Sequence, residues 1–173
     1  MDNESLPEEV KELYANFGLA IYHAQVLEYG LVNALVFLDH IPNKRRLATS
    51  PEQWAASVDS FMEKKFEFTL GRVIRELEAV TEVDPGLQDL LSKALKRRNW
   101  LAHGYFKDRA EDFLTVGGRA KMLTELEESQ ELLISADAAL EQAIKPARER
   151  IGLTDEVLAA TYAKLRVEIG ADG

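Results

Sequence analysis

A chain of 173 residues, 46% hydrophobic and 29% charged, with ten glycines and five prolines, is long enough to bury one core and is too ordered in composition for a linker or fibre. Its net charge of −9 argues against a general nucleic-acid coat protein, and the lack of cysteine removes disulfide frameworks, thiolate metal sites and thiol nucleophiles. These features fit a reducing, cytoplasmic setting. The charge is uneven: residues 1–109 carry 14 Lys and Arg against 17 Asp and Glu, and residues 110–173 carry 7 against 13. Basic residues gather at Lys44-Arg45-Arg46, at Lys64-Lys65 and at Lys93, Lys96, Arg97 and Arg98, enough for a local phosphate-attracting patch but not for a duplex-binding surface.

The first residues, Met1-Asp2-Asn3-Glu4, are acidic and lack the apolar segment of a signal peptide. A long first helix is expected over residues 7–39. Pro7 suits its first turn, Glu8 and Glu9 complement its dipole, and Val10, Leu13, Phe17, Ala20, Ala24, Leu27, Leu31, Leu35 and Leu38 recur at three- and four-residue steps. From Leu31 to Leu38 this helix is apolar nearly all round, which calls for two covering surfaces, its own bundle and a partner chain. The run is interrupted by Asn33 and too short to span a bilayer. Gly18 and Gly30 inside the helix suggest close approach of a neighbour, and the helix is expected to end before Ile41-Pro42-Asn43.

Ser50-Pro51-Glu52-Gln53 starts a second helix with a capping serine and proline in the first turn. A break near Thr69-Leu70-Gly71 leads to a third helix through Val73, Ile74, Leu77 and Val80, and Asp84-Pro85 starts a fourth. Gly104 is placed to stop the fourth helix in a left-handed cap. Residues 105–118 read as a loop closed by Gly117-Gly118, residues 119–145 as a fifth helix kinked or ended by Pro146, and Thr154-Asp155-Glu156 opens a last amphipathic helix. All strong signals are helical. The expectation is an all-α, up-and-down bundle of about five to six helices, a single domain over 1–173 with its ordered core at about 7–169.

The fourth helix ends in Arg98-Asn99-Trp100-Leu101-Ala102-His103-Gly104-Tyr105. Leu87, Leu91, Ala94, Leu101 and Ala102 define its apolar arc, and Arg98 lies within that arc, about 20° from Leu91. A charge aimed into an apolar face is costly unless paired. Glu28, beside the core stripe of the first helix, is the candidate structural partner. The other reading is functional. Arg98 would hold a phosphate, His103 would move a proton, and Asn99 would orient either one. His23, His40 and His103 do not have metal-pair spacing, there is no phosphate-binding glycine loop, and no metal or cofactor is expected.

This R-N-x-x-x-H-x-Y pattern in a helical chain resembles the HEPN superfamily of nucleotide-binding and ribonuclease domains, with Arg98, Asn99 and His103 matching residue by residue. The resemblance implies a helical bundle, a metal-independent endoribonuclease acting as a toxin or defence effector on RNA, and a composite cleft at a homodimer interface. His103-Gly104-Tyr105 also looks like the end of this motif in HEPN toxins paired with nucleotidyltransferase antitoxins, in which the matching tyrosine is adenylylated. Tyr105 is thus expected at the cleft mouth, and Trp100 is expected to face outward toward a second copy. The alternative is a catalytically silent HEPN-like module that binds a nucleotide or a protein.

Overall fold

The computed structural model describes residues 7–170. The chain is all-α, an up-and-down bundle, as the periodicity predicted. Helix α1 runs over Glu8–Leu35, continues through a wide π turn at Val36–His40 into the short helix α2 at Ile41–Lys44, and closes in a 3₁₀ turn at Arg45–Leu47. Then come α3 (Pro51–Phe66), α4 (Leu70–Val80), α5 (Pro85–His103), α6 (Tyr105–Asp108), α7 (Ala110–Phe113), α8 (Val116–Arg150) and α9 (Asp155–Glu168). The expected caps are in place. Ser50 Oγ accepts from the Gln53 amide at 3.2 Å, and Asp84 Oδ1 accepts from the Gly86 amide at 2.8 Å.

The core forms where α1 lies along α8. Leu13, Leu27, Leu31 and Leu35 of α1 and Met122, Leu126, Leu133 and Leu140 of α8 are wholly buried. Leu70, Val73 and Leu77 of α4 and Leu91 and Ala94 of α5 complete it. By length and composition alone the helical run Glu8–Leu47 would pass for a membrane span, a stronger signal than the short run at Leu31–Leu38 suggested. Its apolar face is accounted for by α4, α5 and α8 packed against it.

Several expectations are corrected. Leu31, Val32, Ala34, Leu35 and Val36 are covered within the single chain, while Phe37 and Leu38 are partly buried against its core. The first helix does not end before Ile41. A proline needs room at the carbonyl four residues back, and the wide turn Val36–His40 directly precedes Pro42 and lets the chain remain helical. Pro146 lies inside α8 without ending it, because the helix runs on to Arg150. Gly104 has φ −130°, not a left-handed value, and the helical chain resumes at the next residue. The expected loop 105–118 contains α6 and α7, and Thr115 caps α8 by accepting from the Gly118 amide at 3.0 Å.

His40 is buried. Its Nε2 lies 3.0 Å from Ser57 Oγ, and its ring packs on Trp54 and Phe61. Burial pushes its pKa below the usual histidine value against the opposing pull of Asp39.

Two glycines mark close approaches. A Cβ on Gly30 would stand 2.7 Å from Asp137 Oδ1 of α8, whereas Gly18 faces open space and has no such reason to be glycine. A Cβ on Gly118 would stand 2.1 Å from the backbone oxygen of Asp112, and backbone cannot move aside cheaply. Gly118→Ala should therefore destabilise by more than the ~1 kcal/mol that separates glycine from alanine in a helix. Gly117→Ala, with open space at its Cβ, should be neutral or stabilising by up to about that amount. Urea midpoints of the two variants check this, and equal effects would mean that α7 does not press on the start of α8.

Candidate functional site

The end of α5 and the turn that follows it are tied to α8 by three side chains. Arg97 Nη1 donates to Ser129 Oγ at 2.8 Å and to the Glu125 carbonyl at 3.3 Å. The Arg109 guanidinium, just past α6, donates in parallel to both Glu125 carboxylate oxygens at 2.6 and 2.7 Å. Between them the Tyr105 hydroxyl donates to the Met122 carbonyl at 2.9 Å. These ties hold the last turn of α5 as a rigid ledge on the core.

The three motif residues stand on that ledge. Arg98 is half-buried, while Asn99 and His103 are exposed. The arc geometry put Arg98 in line with Leu91, Ala94 and Leu101, and those three are buried. A long guanidinium stem can lie on such a surface and bring its head out to water. Its guanidinium donates to Asn99 Oδ1 at 3.2 Å. Among the described residues no ion pair joins Arg98 to Glu28, and the half-buried Glu28 enters none itself. Glu28 is therefore not the partner the sequence suggested. Five helical residues separate Arg98 from His103, which turns them about 140° apart around the axis. The structure brings Arg98 to Asn99 and leaves His103 on the neighbouring face.

Tyr105 is corrected most plainly. It is 1% exposed, stacked at 5.7 Å on Phe17 and meeting the Trp100 ring edge-on at 4.9 Å. Burial, reinforced by the Glu125 carboxylate, raises its phenol above the ordinary tyrosine value. A hydroxyl sealed in the core is not at a cleft mouth and offers no nucleotide acceptor in this fold. Trp100 is likewise no outward anchor. It is half-buried, with Nε1 donating to Asp108 Oδ2 at 2.9 Å.

Beside the ledge a cleft of about 500 Å³ opens between α5 and α8. Lys93, Lys96, Arg97 and Trp100 come from one face of α5, Arg109 from beyond α6, and Glu125 and Glu128 from α8. Sequence reasoning saw the basic cluster but missed Arg109, Glu125 and Ser129 as its framework. The available signal was the spacing 93, 96, 97, 100, which places three cations and an aromatic ring on one helical face. Among the described residues no three His, Asp or Glu side chains converge as metal ligands.

If the buried hydroxyl is a structural tie, Tyr105→Phe should lower stability by about 1 kcal/mol through the lost bond to Met122. Denaturant unfolding measures this, and an unchanged midpoint would mean that the phenol was never tied to α8. No protein-family model, curated protein or solved structure matches this chain, so the reading of the site rests on these side chains themselves.

Proposed function

We propose that the chain is an endoribonuclease of HEPN type that cleaves RNA without a metal ion, through a site composed from two copies at the ends of their α5 helices. The observation that carries this reading is the set of unsatisfied groups on the ledge. Arg98 keeps its charge with only neutral Asn99 as partner, and His103 stands exposed one turn further on. RNA carries its own nucleophile. A base removes the 2′-hydroxyl proton, the 2′-oxygen attacks the adjacent phosphorus, the bond to the 5′-oxygen breaks, and an acid protonates that leaving oxygen. The products are a 2′,3′-cyclic phosphate and a 5′-hydroxyl. Imidazole performs both proton transfers near neutral pH, and a guanidinium stabilises the charge that builds on the phosphorane oxygens.

One chain offers one histidine at the ledge, turned away from its own Arg98. A two-fold pairing would supply the second set, with His103 of the partner subunit acting as the acid. Exposed apolar surface near the ledge supports such a pairing. Tyr14, Phe106, Ala110 and Phe113 line a hollow of about 390 Å³ beside α6 and α7, and Leu114 and Val116 stand exposed beyond it.

The second reading is a catalytically silent HEPN-like module, and the separation of Arg98 from His103 within one chain favours it. Cleavage decides between them. The ribonuclease reading expects cyclic-phosphate ends, activity retained in EDTA, and a loss of roughly 10²–10⁴-fold on His103→Ala. It also expects a dimer by sedimentation at micromolar concentration. Arg98→Ala should remove cleavage while the melting temperature stays near that of the wild type, since Arg98 holds no buried carboxylate. Products with 3′-hydroxyl ends, or full activity in His103→Ala, would sink the mechanism.

A further inference from the structure

The cleft between α5 and α8 carries charge that the fold does not use. The Arg97 guanidinium is half-buried, yet its hydrogen-bond partners are the Ser129 hydroxyl and a backbone carbonyl, both neutral. The Glu125 carboxylate, on the residue whose carbonyl Arg97 meets, is occupied at both oxygens by Arg109. Lys96 is exposed and, among the described residues, has no carboxylate partner. Lys93 is tied at 2.6 Å to Asp89, a surface pair that water screens. In a chain of net charge −9, three neighbouring cations with so little compensation mark a place built for an anion.

The anion is not a bare one. Arg97 lies 5.6 Å and Arg109 5.2 Å from the centre of the Trp100 ring, so two guanidinium groups and an indole, each a flat π surface, line one wall of the cleft. Flat surfaces of this kind take nucleobases, and the lysines at the rim take phosphates. The cleft also points somewhere. Lys96 and His103 are seven residues apart, which puts them about 20° apart on one face of α5 and about 10 Å apart along it. A strand seated on the cleft therefore leads along one helical row, past Asn99, to the imidazole.

We propose that this cleft binds a short single-stranded segment of RNA, with phosphates on Lys93 and Lys96 and a base on the Arg97–Trp100 wall, and delivers the next phosphodiester to His103. The strand's destination rests on the ribonuclease reading above, whereas its binding does not. A duplex is disfavoured because Glu128 on the opposite wall and the acidic remainder of the chain would meet its second backbone.

The test uses the full chain and a fluorescein-labelled, fully 2′-O-methylated RNA decamer, read by anisotropy. The probe lacks the nucleophilic hydroxyl, so binding is measured whether or not the protein cleaves RNA. Wild type should bind with a log–log salt slope near −1.4, since each of the two phosphate contacts contributes about −0.7. The double variant Lys93→Gln/Lys96→Gln, altered only on the exposed face, should weaken binding by roughly tenfold and flatten the slope by about 1.4. Arg97→Met should also weaken binding, with its folding checked by circular dichroism. Equal affinity of wild type and the double variant overturns the inference, as does equal binding of a duplex of the same length. Displacement of the probe by AMP at concentrations no higher than those of unlabelled strand would assign the cleft to a free nucleotide and overturn it too. Binding as predicted without any cleavage of natural RNA supports the cleft while sinking the ribonuclease reading.

Discussion

The structure depends on α1 lying in close contact with α8. Each helix brings a row of fully buried leucines to the seam, and Gly30 lets the helices approach where any side chain would meet Asp137. A seam this long buries apolar area at about 25 cal/mol per Å². It also defines the planes on which α4 and α5 dock. Helix α5 brings only Leu87, Leu91, Ala94 and Leu101 to full burial, so apolar packing alone fixes it weakly at its C-terminal end. Polar ties take over there, and all of them reach the first half of α8.

The chemistry of those ties decides which charges remain available. Arg109 meets a carboxylate in a two-pronged pair, and the pair is electrically spent. Arg97 is positioned as firmly by neutral acceptors, so its charge survives the positioning. Arg98 and Asn99 satisfy one another only in part. Within one short segment, then, one arginine is neutralised by its structural partner while two keep their charge. A salt bridge at Arg97 in place of Ser129 would have secured α5 equally well and left the cleft without its buried-side cation.

Much of this was legible in the residues. The 3.6-residue rhythm of α1, the Ser50 and Asp84 caps and the all-helical bundle follow from local rules that tertiary packing did not override. The fate of Tyr105 was not. In sequence Gly104 reads as a stop, yet Leu101 and Tyr105 are four residues apart, and a chain that stays near-helical through Gly104 carries the buried row across it. Gly117-Gly118 looked like loop punctuation, but Gly118 is glycine because the Asp112 backbone sits against it. Arg98 was placed on the correct arc and assigned too deep a burial, since angle on a helix says nothing of whether a long stem reaches water. The Arg97–Ser129 contact joins residues 32 positions apart, and no local pattern announces it.

The asymmetry of charge along the chain has a spatial counterpart at the cleft. One wall is α5, whose Lys93, Lys96 and Arg97 belong to the less acidic first 109 residues. The other wall is α8, whose Glu125 and Glu128 belong to the strongly acidic remainder. Arg109 spends its charge on Glu125 and leaves Glu128 as the exposed acid on that side. An anionic strand in the cleft must then press toward α5 and away from α8, because a phosphate a few ångströms from an exposed carboxylate is repelled on a scale that only salt relieves. Charges on opposite walls would thus confine the proposed strand to one side, and that side is the helical row that ends at His103. On the proposed reading an acidic protein would hold RNA over a short footprint, with the repulsion from the rest of its surface limiting the footprint without preventing the contact.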